Sequence, residues 1–204
     1  TSQTQPLFPF AGNKVHVRIV MKRNLFQPVL GVVALTTAVL TSPAARSQTL
    51  LFDFGDSGAQ TAPPATFWNN LTPEQGGIVF GVIDVNDTDG NDTGLDLFVD
   101  AVFSGTPNTG GTTASSAFPA SASGDSLIGS GASPVITLFT ETPPADTYTF
   151  TFFASDTSAS GNRTTSYTVD GATSGSANLE VAGNIDNTAS VADIGFTDTG
   201  EIIT

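Results

Sequence analysis

The chain of 204 residues contains no cysteine, and it has one histidine, one methionine, one tryptophan and six basic residues. Without cysteine there can be no disulfide, no thiol nucleophile and no cysteine-ligated structural zinc. The histidine, His16, and five of the six bases (Lys14, Arg18, Lys22, Arg23 and Arg46) all lie before residue 48. Residues 48–204 therefore hold one base, Arg163, against all 19 acids, a net charge of −18. With no basic patch to displace counterions, nucleic acid and anionic lipid surfaces are excluded as partners. No apolar run reaches the ~20 residues of a membrane-spanning helix.

Strong charge with few apolar residues would indicate an unfolded chain. Here, however, Phe, Val, Ile and Leu return in short periodic runs, and a segment the length of 48–204 suits one domain with its own core. The segment ahead of it reads as an export leader. Met21-Lys22-Arg23 forms a basic start, and Val29–Leu40 an apolar middle too short to span a bilayer. Ala45 and Ser47 place small residues at −3 and −1 before Gln48. The expectation is a leader over 21–47, removed to leave a secreted or cell-surface domain from Gln48, with no transmembrane span in the mature chain. Residues 1–20 are set aside as an upstream extension.

From residue 48 onward the pattern is strand, turn, strand. Strands are expected at 50–54, 78–83, 95–103, 134–140, 147–155, 164–170, 177–182, 189–194 and 201–204. In Leu95–Phe103 every odd position is apolar, and Thr147–Phe152 alternates aromatic residues with threonine. Such period-two patterning marks strands with one face buried and the other in water. Pro143-Pro144 and Asp170-Gly171 are turn signals, the first through a fixed φ and the second through tolerance of positive φ. No stretch after residue 48 reads as a long amphipathic helix. The expected fold class is all-β, an antiparallel β-sandwich of jelly-roll type. The segment 104–134 is long for a loop and is expected to hide a short strand near Asp125–Ile128. Glu201–Thr204 ends inside a strand-like run, so one or more closing strands are expected to be missing.

Seven segments taken in order carry a family resemblance: Leu51-Phe52-Asp53-Phe54-Gly55, Phe67-Trp68-Asn69-Asn70-Leu71-Thr72, Asp92-Thr93-Gly94, Phe118-Pro119-Ala120-Ser121-Ala122, Tyr148–Ser155, Asn162-Arg163-Thr164-Thr165-Ser166-Tyr167 and Ala182-Gly183-Asn184. Together they resemble a galactose-binding-like β-sandwich domain of exported bacterial proteins, including those sorted by a PEP-CTERM tail. The resemblance spans roughly residues 50–204. It implies the fold and an exported setting, and sugar binding only by analogy, since such folds host many functions.

Several motifs invite a chemical reading. Gly124-Asp125-Ser126-Leu127 spells an esterase nucleophile block, yet residues 48–204 contain no histidine or lysine to take the serine proton. Asp53-Phe54-Gly55 matches a kinase magnesium tripeptide without the lysine, catalytic loop or glycine-rich loop of that machinery. Asp53 is expected instead on the solvent side of its strand, between inward Phe52 and Phe54. A glycosidase needs two carboxyls at a set separation, which sequence spacing cannot establish.

Two binding candidates remain. Asp84, Asp87, Asp89, Asn91 and Asp92 put hard oxygen ligands on a Gly-containing loop suited to Ca²⁺, although Asp92 stands where an EF-hand has glycine. The alternative is a solvated acidic hairpin loop. Trp68, Asn69 and Asn70 offer an indole face and paired amides to a sugar. The alternative there is that Trp68 caps one end of the core and the amides bond the loop backbone. Arg163 is expected to form an ion pair with one of the acids. The resulting expectation is a non-catalytic exported module that binds glycan or serves as a cell-surface or matrix module, with extracellular polysaccharide or envelope components as partners. Competing with it are a ligand-free structural envelope segment and a carboxylate-dependent glycoside hydrolase.

Overall fold

The computed structural model describes residues 19–24, 48–55, 61, 66–72, 82–101, 103–108, 110–129 and 133–204. These are mostly β. One sheet has the order β12 (Ala189–Gly195), β9 (Thr147–Phe152), β1 (Ile19–Asn24), β2 (Thr49–Phe54), β3 (Asn69–Leu71). A six-strand sheet has the order β11 (Ser174–Glu180), β10 (Thr164–Asp170), β13 (Glu201–Ile203), β8 (Val135–Phe139), β5 (Asp92–Ala101), β4 (Val82–Asn86). Every pairing in the six-strand sheet is antiparallel. β6 (Phe103–Asn108) and β7 (Ser126–Gly129) form a separate ribbon, and α1 (Ala120–Ser123) is a single helical turn.

Alternation along the strands is what builds the core. In β9 Tyr148, Phe150 and Phe152 are buried while the intervening threonines are partly exposed, and β10 buries Thr165, Tyr167 and Val169 in the same way. Leu95, Leu97 and Val99 line the inner face of β5. These residues belong to one buried cluster that also takes in Leu50, Phe52 and Phe54 of β2. Phe152 of β9 stacks on Tyr167 of β10 with ring centroids 4.3 Å apart and planes 7° from parallel, which joins the two larger sheets through the core. Each such ring contributes roughly 1.5–3 kcal/mol by leaving water. Burial holds the Tyr167 hydroxyl above the usual tyrosine range, against a smaller opposing effect of its hydrogen bond with Thr165.

β2 departs from alternation, because five consecutive residues, Leu50–Phe54, are buried. The outer face of this strand is covered by Trp68 and Ala122, which pack with Leu51 in a second small cluster. This corrects the expectation for Asp53. It is only 3% exposed, and it accepts the Thr61 N–H at 3.2 Å.

The long segment after β5 has structure of its own. It holds β6, α1 and β7, and Ser126–Gly129 is the short strand expected near 125–128. One carboxylate and one backbone bond help fasten it. Asp186 accepts from the Ser115 and Ser116 hydroxyls at 2.7 and 2.9 Å and from the Ser116 and Ala117 N–H groups. Asp156 is fully buried, and the neighbouring Thr157 N–H donates to the Gly110 carbonyl at 2.8 Å. The expected strand at 78–83 falls mostly outside the described residues. β4 begins at Val82 and continues to Asn86, through positions read from sequence as loop.

β1 is the unexpected element. It carries Met21-Lys22-Arg23, the basic start of the leader reading, and it pairs antiparallel with β9 from Ile19↔Phe152 to Asn24↔Thr147. On its other side Val20, Met21 and Lys22 pair with Leu51, Leu50 and Thr49 of β2. Residues 25–47, the remainder of the segment read as leader from sequence, lie outside the described residues. Among the described residues no helix is long and apolar enough to cross a membrane.

Candidate functional site

The two binding candidates seen in sequence, Trp68–Asn70 and the acidic loop, are brought together at one end of β2 and β4. Asn69 is the connector. Its side-chain N–H groups donate to the carbonyls of Leu51 and Asn86 at 3.1 and 2.8 Å, and its Oδ1 accepts the Asn86 N–H at 2.8 Å. The backbone continues the join, with Phe67 N–H donating to the Thr88 carbonyl and Thr88 N–H to the Thr49 carbonyl. Asn70 accepts the Thr61 N–H at 2.9 Å and donates to the carbonyls of Thr61 and Trp68. Both amides are thus committed to holding backbone, Asn69 that of β2 and β4 and Asn70 that of Thr61 and Trp68. The Trp68 ring is 7% exposed against Leu51 and Ala122, and a sugar needs a free indole face.

The acidic loop is built around Asp87. Its Oδ1 accepts N–H groups from Asp89 and Asn91, both at 2.9 Å, and the Asn91 side-chain amide donates to both carboxylate oxygens. The turn closes through Asp87 N–H to Asn91 O and Gly90 N–H to Asp87 O, with Gly90 at φ +82, a conformation favouring glycine. Slight burial pushes the Asp87 carboxyl up, but the bonds from Asn91, Asp89 and Gly90 together outweigh it and hold it below its usual range. Asp92 accepts the Gly94 N–H at 2.8 Å. Asp84 stands across the β4–β5 ladder from Asp96. Among the described residues no three acidic or histidine groups converge in a metal-holding arrangement.

Sequence reasoning missed Phe67. It is half-buried, and its ring packs over Gly90, where an added Cβ would lie 3.4 Å from Phe67 Cδ2. Gly90 thus sets a partly exposed aromatic ring against a loop whose neighbouring residues Asp89, Asn91 and Asp92 are exposed. The available signal was the Phe67-Trp68 pair itself. Consecutive residues of an extended chain point to opposite sides, so where one is inward the other turns out.

The esterase-like block has no open nucleophile. Asp125 and Ser126 are buried, with Ser126 1% exposed at the start of β7. Gly55 is confined beside it, since a Cβ at that position would lie 2.5 Å from the Asp125 carboxylate.

Asp84 and Asp96 make a like-charged cross-strand pair. The Asp96 carboxyl is raised above the ordinary 3.8 by partial desolvation, then by the charge and hydrogen bond of Asp84 and the charges of Asp92 and Glu141. Its ionisation therefore costs stability at neutral pH, and the cost is relieved as pH falls through the raised value toward 3.8. Asp96→Asn is expected to stabilise the domain by roughly 0.2–1 kcal/mol at pH 7, as removal of a cross-strand repulsion does. Urea melts at pH 7 and at pH 3 check this, the gain shrinking at the lower pH.

Comparison with protein-family models, with curated proteins and with solved structures finds no match for this chain.

Proposed function

We propose that residues 48–204 form a non-catalytic exported module, a two-layer β-sandwich of galactose-binding-like type that recognises neutral glycan at the Phe67–acidic-loop edge. The observation that carries the reading is the half-buried Phe67 ring against Gly90, in a loop whose Asp89, Asn91 and Asp92 are exposed. Sugars are held by this pairing of apolar ring contact with polar groups that exchange hydrogen bonds with hydroxyls. The two-layer arrangement is supported by the core shared between the larger sheets and by the Phe152–Tyr167 stack. The net charge of −18 disfavours acidic polysaccharide and leaves neutral envelope or extracellular glycan as the partner. The leader-like segment and the ordered motifs support export to the cell surface or beyond.

The competing structural reading rests on a specific observation: Trp68, Asn69 and Asn70 are all engaged within the fold. Affinity electrophoresis against a panel of neutral polysaccharides separates the two. Phe67→Ala is expected to lower retention about tenfold with little change in melting temperature, since a half-buried surface ring contributes mainly contact. Retention that survives Phe67→Ala combined with Asn91→Ala would remove the binding edge from this site. No retention by any polysaccharide of the panel would favour the structural module.

A further inference from the structure

β1 occupies the place between β2 and β9, and it cannot hold that place in a chain whose leader has been removed. A leader keeps its basic start on the inner side of the membrane while the following domain is passed across. Residues 21–24 therefore serve either as leader or as strand, never both in one exported molecule. We infer that in the exported domain the slot between β2 and β9 is a strand acceptor, filled by an extended cationic segment of a second polypeptide. This inference rests on the export reading above.

The slot is defined on both walls. β9 presents backbone along Thr147–Phe152 and β2 along Thr49–Leu51, both antiparallel to the occupant. β2 and β9 consequently run parallel to each other, with a strand's width between them. Tyr148, Phe150, Phe152 and Leu50 flank it, each at most 1% exposed when the slot is filled. Emptying it would expose the edges of two core strands, with their backbone donors and acceptors unpaired. β-strand addition answers this need, since main-chain bonds supply affinity and alternate side chains supply selectivity. The charge of the occupant follows from what fills the slot here. Ile19–Asn24 contains Lys22 and Arg23, set into a domain that otherwise carries one base against 19 acids. A cationic strand is drawn to such a domain and an acidic one repelled.

The test uses the full chain with a specific protease site placed between residues 25 and 47. After cutting, the N-terminal piece is expected to stay bound, and a fluorescent peptide of residues 17–26 to exchange into its place. Melting temperature should rise with peptide concentration, as for any ligand of the folded state alone. A peptide carrying Met21→Pro should bind at least about tenfold more weakly, because proline removes a ladder donor from a strand paired on both sides. A peptide with Lys22→Glu and Arg23→Glu should lose roughly tenfold in affinity at low salt and less at high salt. Three results would overturn the proposal. One is release of the piece with no fall in melting temperature and no uptake of peptide. Another is self-association of the emptied domain that excludes peptide, which would assign the slot to a second copy. The third is exported protein that retains residues 19–24, which would sink the removal of the leader, and with it the empty slot, even if peptide exchange succeeds. A failure of exchange in protein that begins at Gln48 would instead sink the slot alone.

Discussion

Arg163→Met lowers the stability of the domain by about 2–3 kcal/mol, somewhat below the 3–5 kcal/mol typical when one partner of a buried ion pair is removed. Arg163 Nη1 lies 2.5 Å from Asp156 Oδ2, and the Asp156 side chain is fully buried while that of Arg163 is 28% exposed. The expected loss is moderated because water already reaches the arginine and because Asp156 keeps two other donors. Its Oδ1 accepts the Ser158 N–H at 3.0 Å and the Ser158 hydroxyl at 2.6 Å. The remaining cost is that of a buried carboxylate without its counter-charge. Adding Asp156→Asn to Arg163→Met should recover part of the loss, since the neutral amide needs no cation. Urea denaturation of the two single variants and the double variant gives the coupling directly. If Arg163→Met changed stability by less than a few tenths of a kcal/mol, the pair would behave like an ordinary surface bridge.

The effect reaches beyond the pair because this corner ties several segments together. Asp156 N–H donates to the Val181 carbonyl, Gly183 N–H donates to the Asp156 carbonyl, and Val181 N–H donates to the Arg163 carbonyl. Glu180 accepts the Arg163 and Ala182 N–H groups, and these bonds hold its carboxyl below the usual range. Asn184 continues the junction by donating to the carbonyls of Ala154 and Asn187, both at 2.8 Å. Loosening of the Asp156 corner should therefore first raise hydrogen exchange at Val181 and Gly183, before the inner strands open.

Trp68→Ala is expected to cost about 3–5 kcal/mol, the range for truncating a large buried aromatic side chain. Trp68 and Ala122 pack on Leu51, covering the outer face of β2 next to buried Asp53. Removing the ring leaves a void over that strand and admits water to the Asp53–Thr61 bond. Tryptophan fluorescence checks the placement without ambiguity, because the chain has one tryptophan. Emission should be blue-shifted and protected from iodide, and a red-shifted, quenchable signal would contradict burial. Any glycan retention lost in Trp68→Ala should then track unfolding, whereas in Phe67→Ala it should not. The two neighbouring aromatics thus separate support of the fold from contact with a ligand.

The parts of the fold legible in the sequence are those where one strand has one wet face. Leu95–Val99, Thr147–Phe152 and Thr164–Asp170 follow period two, and their burial follows it residue by residue. Solvent on one side imposes a polar residue at every second position, so the pattern carries the geometry. β2 lost that signal because Trp68 and Ala122 arrive from distant segments to cover its second face, and nothing local in Leu51-Phe52-Asp53 announces them. β3 was missed for a similar reason. Asn69-Asn70-Leu71 is a poor strand former, held in line by parallel pairing with Phe52–Phe54 and by the amide bonds of Asn69.

The candidate site divides along the same line. Composition alone determined the charge of the domain, its lack of histidine and thiol, and the chemistries these exclude, because such properties do not depend on conformation. Only the tertiary structure decided that Trp68 faces inward and that Phe67 lies over Gly90. It alone decided, too, that Asp87 spends its carboxylate on the N–H groups of its own loop, and that Arg163 pairs with Asp156 among so many acids. Each of these is a choice between partners of equal chemical type. Only the folded backbone, by bringing one within reach and leaving the others in water, can make that choice.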